Sequence, residues 1–228
     1  MSANGAPEST SNGATTNGAA PPPRKGLGGF TRNWLDLRNT PYGTRPIAVT
    51  LFLTLVTGVT SSAAALAGPF ILRDLDIDIR SILNVEATVG FFLTFAAIGI
   101  GWYADRHRRI PLLAFGSALA GFFTMLMSRA TGIVSLGVPQ VFGGVAAEAS
   151  NVPSFSLMAD YYPPESRGKV FAVLSLVGKT AALPLGLAGA LLLDSIGWRS
   201  VYLIGGAIGV VTGLSLLKLL KEPVRGYM

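Results

Sequence analysis

The fold is decided by residues 83–127, which read LNVEATVGFFLTFAAIGIGWYADRHRRIPLLAFGSALAGFFTMLM. Two apolar runs, 83–104 and 110–127, stand on either side of one short charged cluster, Asp105 to Arg109. A helix needs roughly 20 apolar residues to cross about 30 Å of hydrocarbon, and both runs are close to that length. The pattern predicts two membrane-spanning helices joined by a tight polar turn.

The same pattern continues on both sides of this stretch. Hydrophobic residues make up 50% of the chain, charged residues only 13%, and the mean hydropathy is +0.51, which is more apolar material than one soluble core needs. Prolines inside the runs do not exclude helices, because neighbouring helices can satisfy the freed backbone groups. We therefore predict an all-α membrane protein with a six-helix bundle over residues 47–221, its spans lying near 47–71, 83–104, 110–127, 133–159, 170–193 and 201–220.

The flanking residues differ in composition from the bundle. Residues 1–25 are mostly small and polar, which predicts a disordered cytoplasmic tail. Residues 26–46 place Phe30, Trp34 and Leu37 among arginines, a pattern that favours an interfacial segment, although a solvated basic linker would share it. Residues 222–228 are expected to form a cytoplasmic end or linker.

Lysine and arginine are distributed unequally between the two sides. Thirteen lie in the segments on the side of the amino terminus: Arg24, Lys25, Arg32, Arg38, Arg45, Arg106, Arg108, Arg109, Arg167, Lys169, Lys218, Lys221 and Arg225. Four lie in the opposite loops: Arg73, Arg80, Arg129 and Arg199. By the positive-inside rule, both termini are predicted to be cytoplasmic, in a multi-pass protein of the plasma or inner membrane.

Composition also excludes several classes of function. The chain has no cysteine and a single histidine, His107, so it offers neither a thiolate metal site nor a histidine cluster. Its basic residues separate the apolar runs instead of forming a basic face or tail, which argues against nucleic acid as a partner. We expect a protein that is not an enzyme and needs no metal or cofactor.

The connection between the second and third spans, residues 101–109, reads GWYADRHRR. It resembles the major facilitator superfamily signature of a glycine, an Asp-Arg pair and a basic pair. The resemblance implies that Gly101 lets helices approach, that Asp105 caps a helix and contacts the other half, and that Arg106 or Arg109 pairs with Asp160 as a cytoplasmic latch. An arginine-rich loop could also serve only as an orientation signal.

Later motifs continue this resemblance in order. The stretches at 148–153, 157–168, 184–189, 197–199 and 222–226 are similar to those of spinster-like and organic-anion transporters. The resemblance covers residues 47–226 and implies the amino-terminal half of a major facilitator fold, with a three-plus-three inverted repeat. Small or helix-bending residues are expected to pack helices, or in part to face lipid: Pro184, Gly186, Gly189, Gly205 and Gly209.

Two charges lie deep in the predicted spans. Glu148 precedes Asp160, and Lys179 follows Arg167, by twelve residues each, so both lie roughly 18 Å from the cytoplasmic ends. Equal depth on consecutive helices favours an ion pair near the bilayer midplane, where transporter sites lie. Together with Asn151 they are the predicted solute-path or coupling residues, and a purely structural pair is the alternative.

These observations predict half of a secondary transporter that moves a small organic or amphiphilic solute by alternating access. Lys179 is the one reason to expect an anionic solute. The predicted partners are the lipid bilayer, the solute, and a second six-helix bundle, supplied by a homodimer partner or a separate half. A non-transporting six-helix membrane anchor or interaction subunit, or a truncated transporter fragment, remains the alternative.

Overall fold

Six α-helices make up the described part of the chain. The computed structural model describes residues 45–162 and 164–220, apart from the side chains of 59–61, 63–65, 164–166, 179, 181–183, 185–190, 192 and 194. The helices are α1 (Arg45–Leu75), α2 (Ile79–Arg106), α3 (Arg109–Met127) and α4 (Ile133–Tyr161), followed by one helical run, Pro164–Leu219. The predicted segments 1–25 and 222–228, and nearly all of 26–46, lie outside the described residues.

The run Pro164–Leu219 consists of two helices that meet at Gly197. This glycine has φ 76° and ψ 157°, a backbone conformation outside the helical region that residues with a Cβ rarely adopt. We call the two helices α5 (164–196) and α6 (198–219). They run back along each other, because Val170 and Leu216 share one buried cluster while Leu193 and Trp198 share another.

Several helices extend beyond the predicted spans. Arg45 and Pro46, assigned from sequence to the interfacial segment, form the first turn of α1, a place that suits proline because its missing N–H would have no helical partner there. The loop expected at 72–82 shrinks to residues 76–78, where Asp76 turns the chain with φ 50°. Polar residues at these ends are compatible with helix, so hydropathy alone places the boundaries too far inward.

Two apolar clusters close the two ends of the bundle. One contains Ile47, Leu113, Leu157 and Leu216, and the other contains Ile71, Leu136 and Trp198 with others. We call these the Arg109 end and the Asp74 end, after a charged residue at each. Helices α1, α4, α5 and α6 each contribute buried residues to both clusters, one near each end of the helix. Successive helices therefore run in alternate directions between the two ends.

The outer surface of the bundle is strongly apolar. Large hydrophobic side chains are exposed on α1 to α6, among them Phe91, Phe95 and Ile98 on α2 and Val211 on α6. A soluble protein rarely exposes such continuous apolar surface. Four described segments are long and apolar enough to cross a membrane: Ile79–Arg106, Arg109–Met127, Ile133–Tyr161 and Ser195–Leu219. The predicted all-α membrane bundle is confirmed.

Helices α3 and α6 approach each other through glycines. A Cβ built on Gly121 would lie 2.6 Å from the backbone N of Val210 and 2.7 Å from the carbonyl oxygen of Gly206. One built on Gly209 would lie 3.1 Å from the Cα of Gly121. Of the predicted packing residues, Gly209 therefore contacts α3 inside the bundle, while Gly206 and Gly213 of the same helix approach the α3 backbone still more closely.

Candidate functional site

A central cavity of about 720 Å³ lies among the six helices. It occupies the region between the two apolar ends, reaching Leu136 of the Asp74 cluster and Leu53 of the Arg109 cluster. Small residues supply much of its wall, because glycine and alanine leave space that larger side chains would fill. They are Gly58, Gly68, Ala120, Gly121, Gly143, Gly144, Ala147, Gly178, Gly205 and Gly209.

Polar side chains also line this cavity. They are Thr54, Thr57, Glu86, Ser117, Thr124, Gln140, Ser150, Asn151 and Tyr202. The Thr54 hydroxyl donates to the Thr50 carbonyl at 2.8 Å and the Thr124 hydroxyl to the Ala120 carbonyl at 2.9 Å, so their oxygens remain able to accept. A cavity of this size with a few polar groups on apolar walls has the character of a site for a small organic molecule.

Glu86 and Gln140 form the most distinctive contact at the wall. The side-chain amide nitrogen of Gln140 on α4 donates to Oε1 of Glu86 on α2 at 2.7 Å. Both residues line the central cavity, and the Glu86 side chain is exposed to it. Among the lining residues that the structure describes, Glu86 is the single carboxylate, and none is a lysine or arginine.

Glu86 was not among the residues that the sequence singled out. The predicted second span began at Leu83, which placed Glu86 in its first turn, at the membrane boundary. Because α2 begins at Ile79, Glu86 lies instead roughly 10 Å along the helix. The available signal was its spacing, since Ile82, Glu86 and Val89 are on one helical face and all line the cavity.

The predicted solute-path residues have different surroundings. Asn151 lines the cavity, whereas Glu148, half-buried one turn earlier on α4, is not among the described lining residues. Lys179 lies in α5, next to Gly178 of the cavity wall, and its side chain is outside the described set. The Glu148–Lys179 pair stays a prediction, which a double-mutant cycle in thermal stability would test.

At the Arg109 end, Arg109 and Asp160 form an ion pair between α3 and α4. Their side chains are only 13% and 20% exposed, because the pair sits on the apolar cluster of that end. Next to Asp160, the Tyr162 hydroxyl accepts a hydrogen bond from the backbone N–H of Ile47 at 3.3 Å. Burial raises the pKa of this phenol above its usual value.

The other residues of the predicted latch, Gly101, Asp105 and Arg106, lie at the end of α2. Arg106 donates to the Trp102 carbonyl at 3.3 Å and lies 4.1 Å from the centre of the Trp102 ring, so Arg109 is the arginine that contacts Asp160. Asp105 is exposed at the end of α2. A Cβ on Gly101 would meet no described atom within 4 Å, so no close helix contact of Gly101 is seen within the described residues.

The Asp74 end carries a second charged contact, which the sequence did not predict. Asp74 at the end of α1 pairs with Arg199 of α6 and accepts from the Trp198 indole N–H at 3.2 Å. Arg199 also donates to the carbonyl of Ala130, between α3 and α4, at 3.0 Å. Both side chains of the pair are 44% exposed, so this contact lies at the surface.

The remaining predicted packing residues lie in the last helical run. Gly205 lines the cavity from α6. Pro184 is exposed inside α5, and the helix continues through it. Gly186 and Gly189 are in the same helix, and their surroundings are outside the described set. Within residues 45–162 and 164–220, no three His, Cys, Asp or Glu side chains converge as a metal site would require.

Comparisons with known proteins agree with this architecture. Residues 50–226 match the family described as Major Facilitator Superfamily. The 4-hydroxybenzoate transporter PcaK of Pseudomonas aeruginosa is 25% identical over 82% of this chain and 42% of its own length. An MFS-type efflux pump of Mycolicibacterium smegmatis is 32% identical over 71% of this chain and 37% of its own. The chain thus spans about two fifths of the length of these curated relatives.

The fold has a counterpart among solved structures. A bacterial homologue of the human lysosomal transporter Spinster, in an inward-facing and unoccupied conformation, superposes with a TM-score of 0.73 at 22% identity. The match covers 82% of this chain and 45% of the other. The predicted likeness to a partial spinster-like fold is therefore confirmed, as is the predicted family.

Proposed function

Because the chain belongs to the major facilitator superfamily, a family of transporters and not of enzymes, we propose that it supplies one six-helix bundle of a secondary transporter for a small organic solute. The observation that carries this proposal is the central cavity of about 720 Å³, which has a few polar groups on apolar walls, inside an integral, multi-pass membrane bundle. A bundle with only a structural role would gain stability by filling this space with side chains.

Alternating access gives the two ends of the bundle their roles. Transporters of this general design expose a fixed midplane site to one side and then to the other by rocking one bundle against its partner. The Arg109–Asp160 pair and the Asp74–Arg199 pair each tie together helices at one end of this chain. We expect them to keep the bundle rigid, so that it moves as one body.

A second bundle is part of the proposal. The chain covers under half of the relatives and of the solved structure, and α2 exposes a row of large apolar side chains with an open face at Gly101. Lipid, or a second bundle packed there, would cover this surface. The second bundle could be a further part of a longer polypeptide, a separate half or another copy of this chain.

Orientation and solute follow from charge. We place the Arg109 end and both termini in the cytoplasm, of a plasma or inner membrane, because thirteen of the lysines and arginines lie on that side. The relative named for 4-hydroxybenzoate transport favours an organic solute. Lys179 is the single residue on which the expectation of an anionic solute depends.

A six-helix membrane anchor or interaction subunit is the competing function. The native mass of the complex, extracted from its own membrane in mild detergent, separates the two. A transporter requires two bundles, on one polypeptide or two, and therefore protein of about twice the 23.8 kDa of this chain. An assembly that consists of this chain as a monomer would contradict transport by alternating access and leave the anchor.

A further inference from the structure

We propose that Glu86, oriented by Gln140, binds the protonated amine of the transported solute. This inference rests on the proposed transport function and deepens it by naming a chemical class. It starts from the contact in which the Gln140 amide donates to Oε1 of Glu86 at 2.7 Å, on the wall of the central cavity.

The charge of Glu86 is not neutralised by another residue of the described chain. Its partner, Gln140, is a neutral amide, and the two ion pairs among the described residues are Arg109–Asp160 and Arg199–Asp74. Charged side chains within membrane spans line water-filled cavities or are paired, and the exposed Glu86 side chain faces the cavity. A cation that enters the cavity would therefore meet a carboxylate without a counter-charge among the described residues.

The geometry leaves one carboxylate oxygen for a ligand. Gln140 engages Oε1, while Oε2 receives no hydrogen bond from the described side chains. The amide also holds the carboxylate in one orientation, so that a ligand meets a fixed acceptor. Tyr202 lines the same cavity and offers an aromatic ring and a hydroxyl for the remainder of an organic molecule.

An amine fits this site better than a metal ion. Hard metal cations prefer six or more oxygen ligands, with several carboxylates among them. No group of three His, Cys, Asp or Glu residues is found within 45–162 and 164–220, and Glu86 contributes a single carboxylate. A protonated amine needs only one carboxylate oxygen to form a charge-assisted N–H hydrogen bond, which Glu86 can supply.

The site is separate from the predicted midplane charges. Gln140 and Glu148 are both on α4, roughly 12 Å apart along its axis, with Glu86 beside Gln140, nearer the Asp74 end. Glu86 therefore takes a positive group in the half of the cavity near that end, whatever Lys179 does closer to the midplane.

The test uses three probes of similar shape and different charge: benzylamine, benzyl alcohol and benzoate. The complete transporter in lipid nanodiscs carries one reporter cysteine, Ala147→Cys, in the cavity wall. The rate of its modification by a water-soluble maleimide is measured against probe concentration. We expect benzylamine to slow the reaction at lower concentrations than the other two probes.

Glu86→Gln keeps the shape and removes the charge, so the benzylamine concentration needed for half protection should rise about tenfold or more. Glu86→Asp should retain protection, and Asp78→Asn, a carboxylate in the exposed turn before α2, should leave it unchanged. Protection by benzylamine that survives Glu86→Gln, or equal protection by all three probes, would overturn the amine site while leaving the transport proposal in place.

Two further outcomes are informative. Protection by sodium ions in place of choline, lost in Glu86→Gln and without any effect of benzylamine, would assign the carboxylate to an inorganic cation and overturn the amine. A cysteine at 147 that does not react in any buffer would show that the cavity is closed to water. That result would count against the proposed function itself, and is distinguishable from failure of the amine site.

Discussion

Asp160→Asn should lower the stability of the folded bundle by about 2 to 4 kcal/mol, between the ranges for exposed and for buried ion pairs. Arg109 and Asp160 are 13% and 20% exposed, so removing one charge leaves the other largely desolvated and without its counterion. An exposed ion pair contributes only about 0 to 1 kcal/mol, because water solvates both charges. The Arg109–Asp160 pair is less exposed because it lies beside the apolar cluster at that end of the bundle, so its charges are poorly solvated.

The Asp74–Arg199 pair supplies a matched control for that substitution. It joins the same residue types at the opposite end, but both side chains are 44% exposed. Asp74→Asn should therefore cost less than about 1 kcal/mol. Thermal unfolding in detergent measures the stability loss of Asp160→Asn and of Asp74→Asn. The double variant with the charges exchanged, Arg109→Asp with Asp160→Arg, should recover part of the loss seen for Asp160→Asn. Equal losses for Asp74→Asn and Asp160→Asn would show that burial does not set the energy of the Arg109 pair.

Gly121→Ala should destabilise the bundle by about 1 to 3 kcal/mol, the usual cost of an overpacked core. The added methyl would lie within 2.8 Å of three backbone atoms of α6, belonging to Gly206, Gly209 and Val210. Backbone cannot rotate aside as a side chain can, so α3 and α6 must separate. The measurement is again the thermal midpoint in detergent or nanodiscs.

Gly99→Ala provides the control for the glycine substitution. Gly99 is in α2, and a Cβ there would meet no described atom within 4 Å. Alanine in an uncrowded helical position stabilises by about 0.4 to 1 kcal/mol, because it restricts the unfolded chain. A Gly121→Ala variant that matches Gly99→Ala would contradict the close approach of α3 and α6.

Much of the fold could be predicted from local pattern. Hydropathy located all six helices, because the length of an apolar run depends on bilayer thickness and not on tertiary contacts. Helix ends were misplaced where polar residues continue a helix, as at Asp74, whose partners Trp198 and Arg199 are far away in sequence. The contact of Arg109 with Asp160 came from the resemblance to the family, and the structure selects it over Arg106.

The cavity wall was harder to predict. The cost of burying a charge led to Glu148 and Lys179, whose depth can be estimated from the sequence. Glu86 was missed because the predicted span began at Leu83, whereas α2 begins at Ile79 and places Glu86 two turns inside the helix. The role of Gly206 depends on which face of α6 meets α3, a fact of tertiary packing. Glycines at helical spacing indicate that a close helix contact exists, but they do not identify the helix that makes it.

The central claim is that the cavity is a water-filled solute path, and paired cysteines on α3 test it most directly. The chain has no cysteine, so each variant carries a single thiol. Ala120 lines the cavity while its neighbour Leu119 is exposed on the outside of the bundle, at almost the same depth. His107→Cys and Asp78→Cys report the two sides of the membrane, which the proposed orientation assigns to the cytoplasm and the exterior. In membrane vesicles of both orientations, a membrane-impermeant maleimide should modify Ala120→Cys readily and Leu119→Cys far more slowly. Equal reactivity, or an Ala120→Cys that reacts from neither side, would contradict the account.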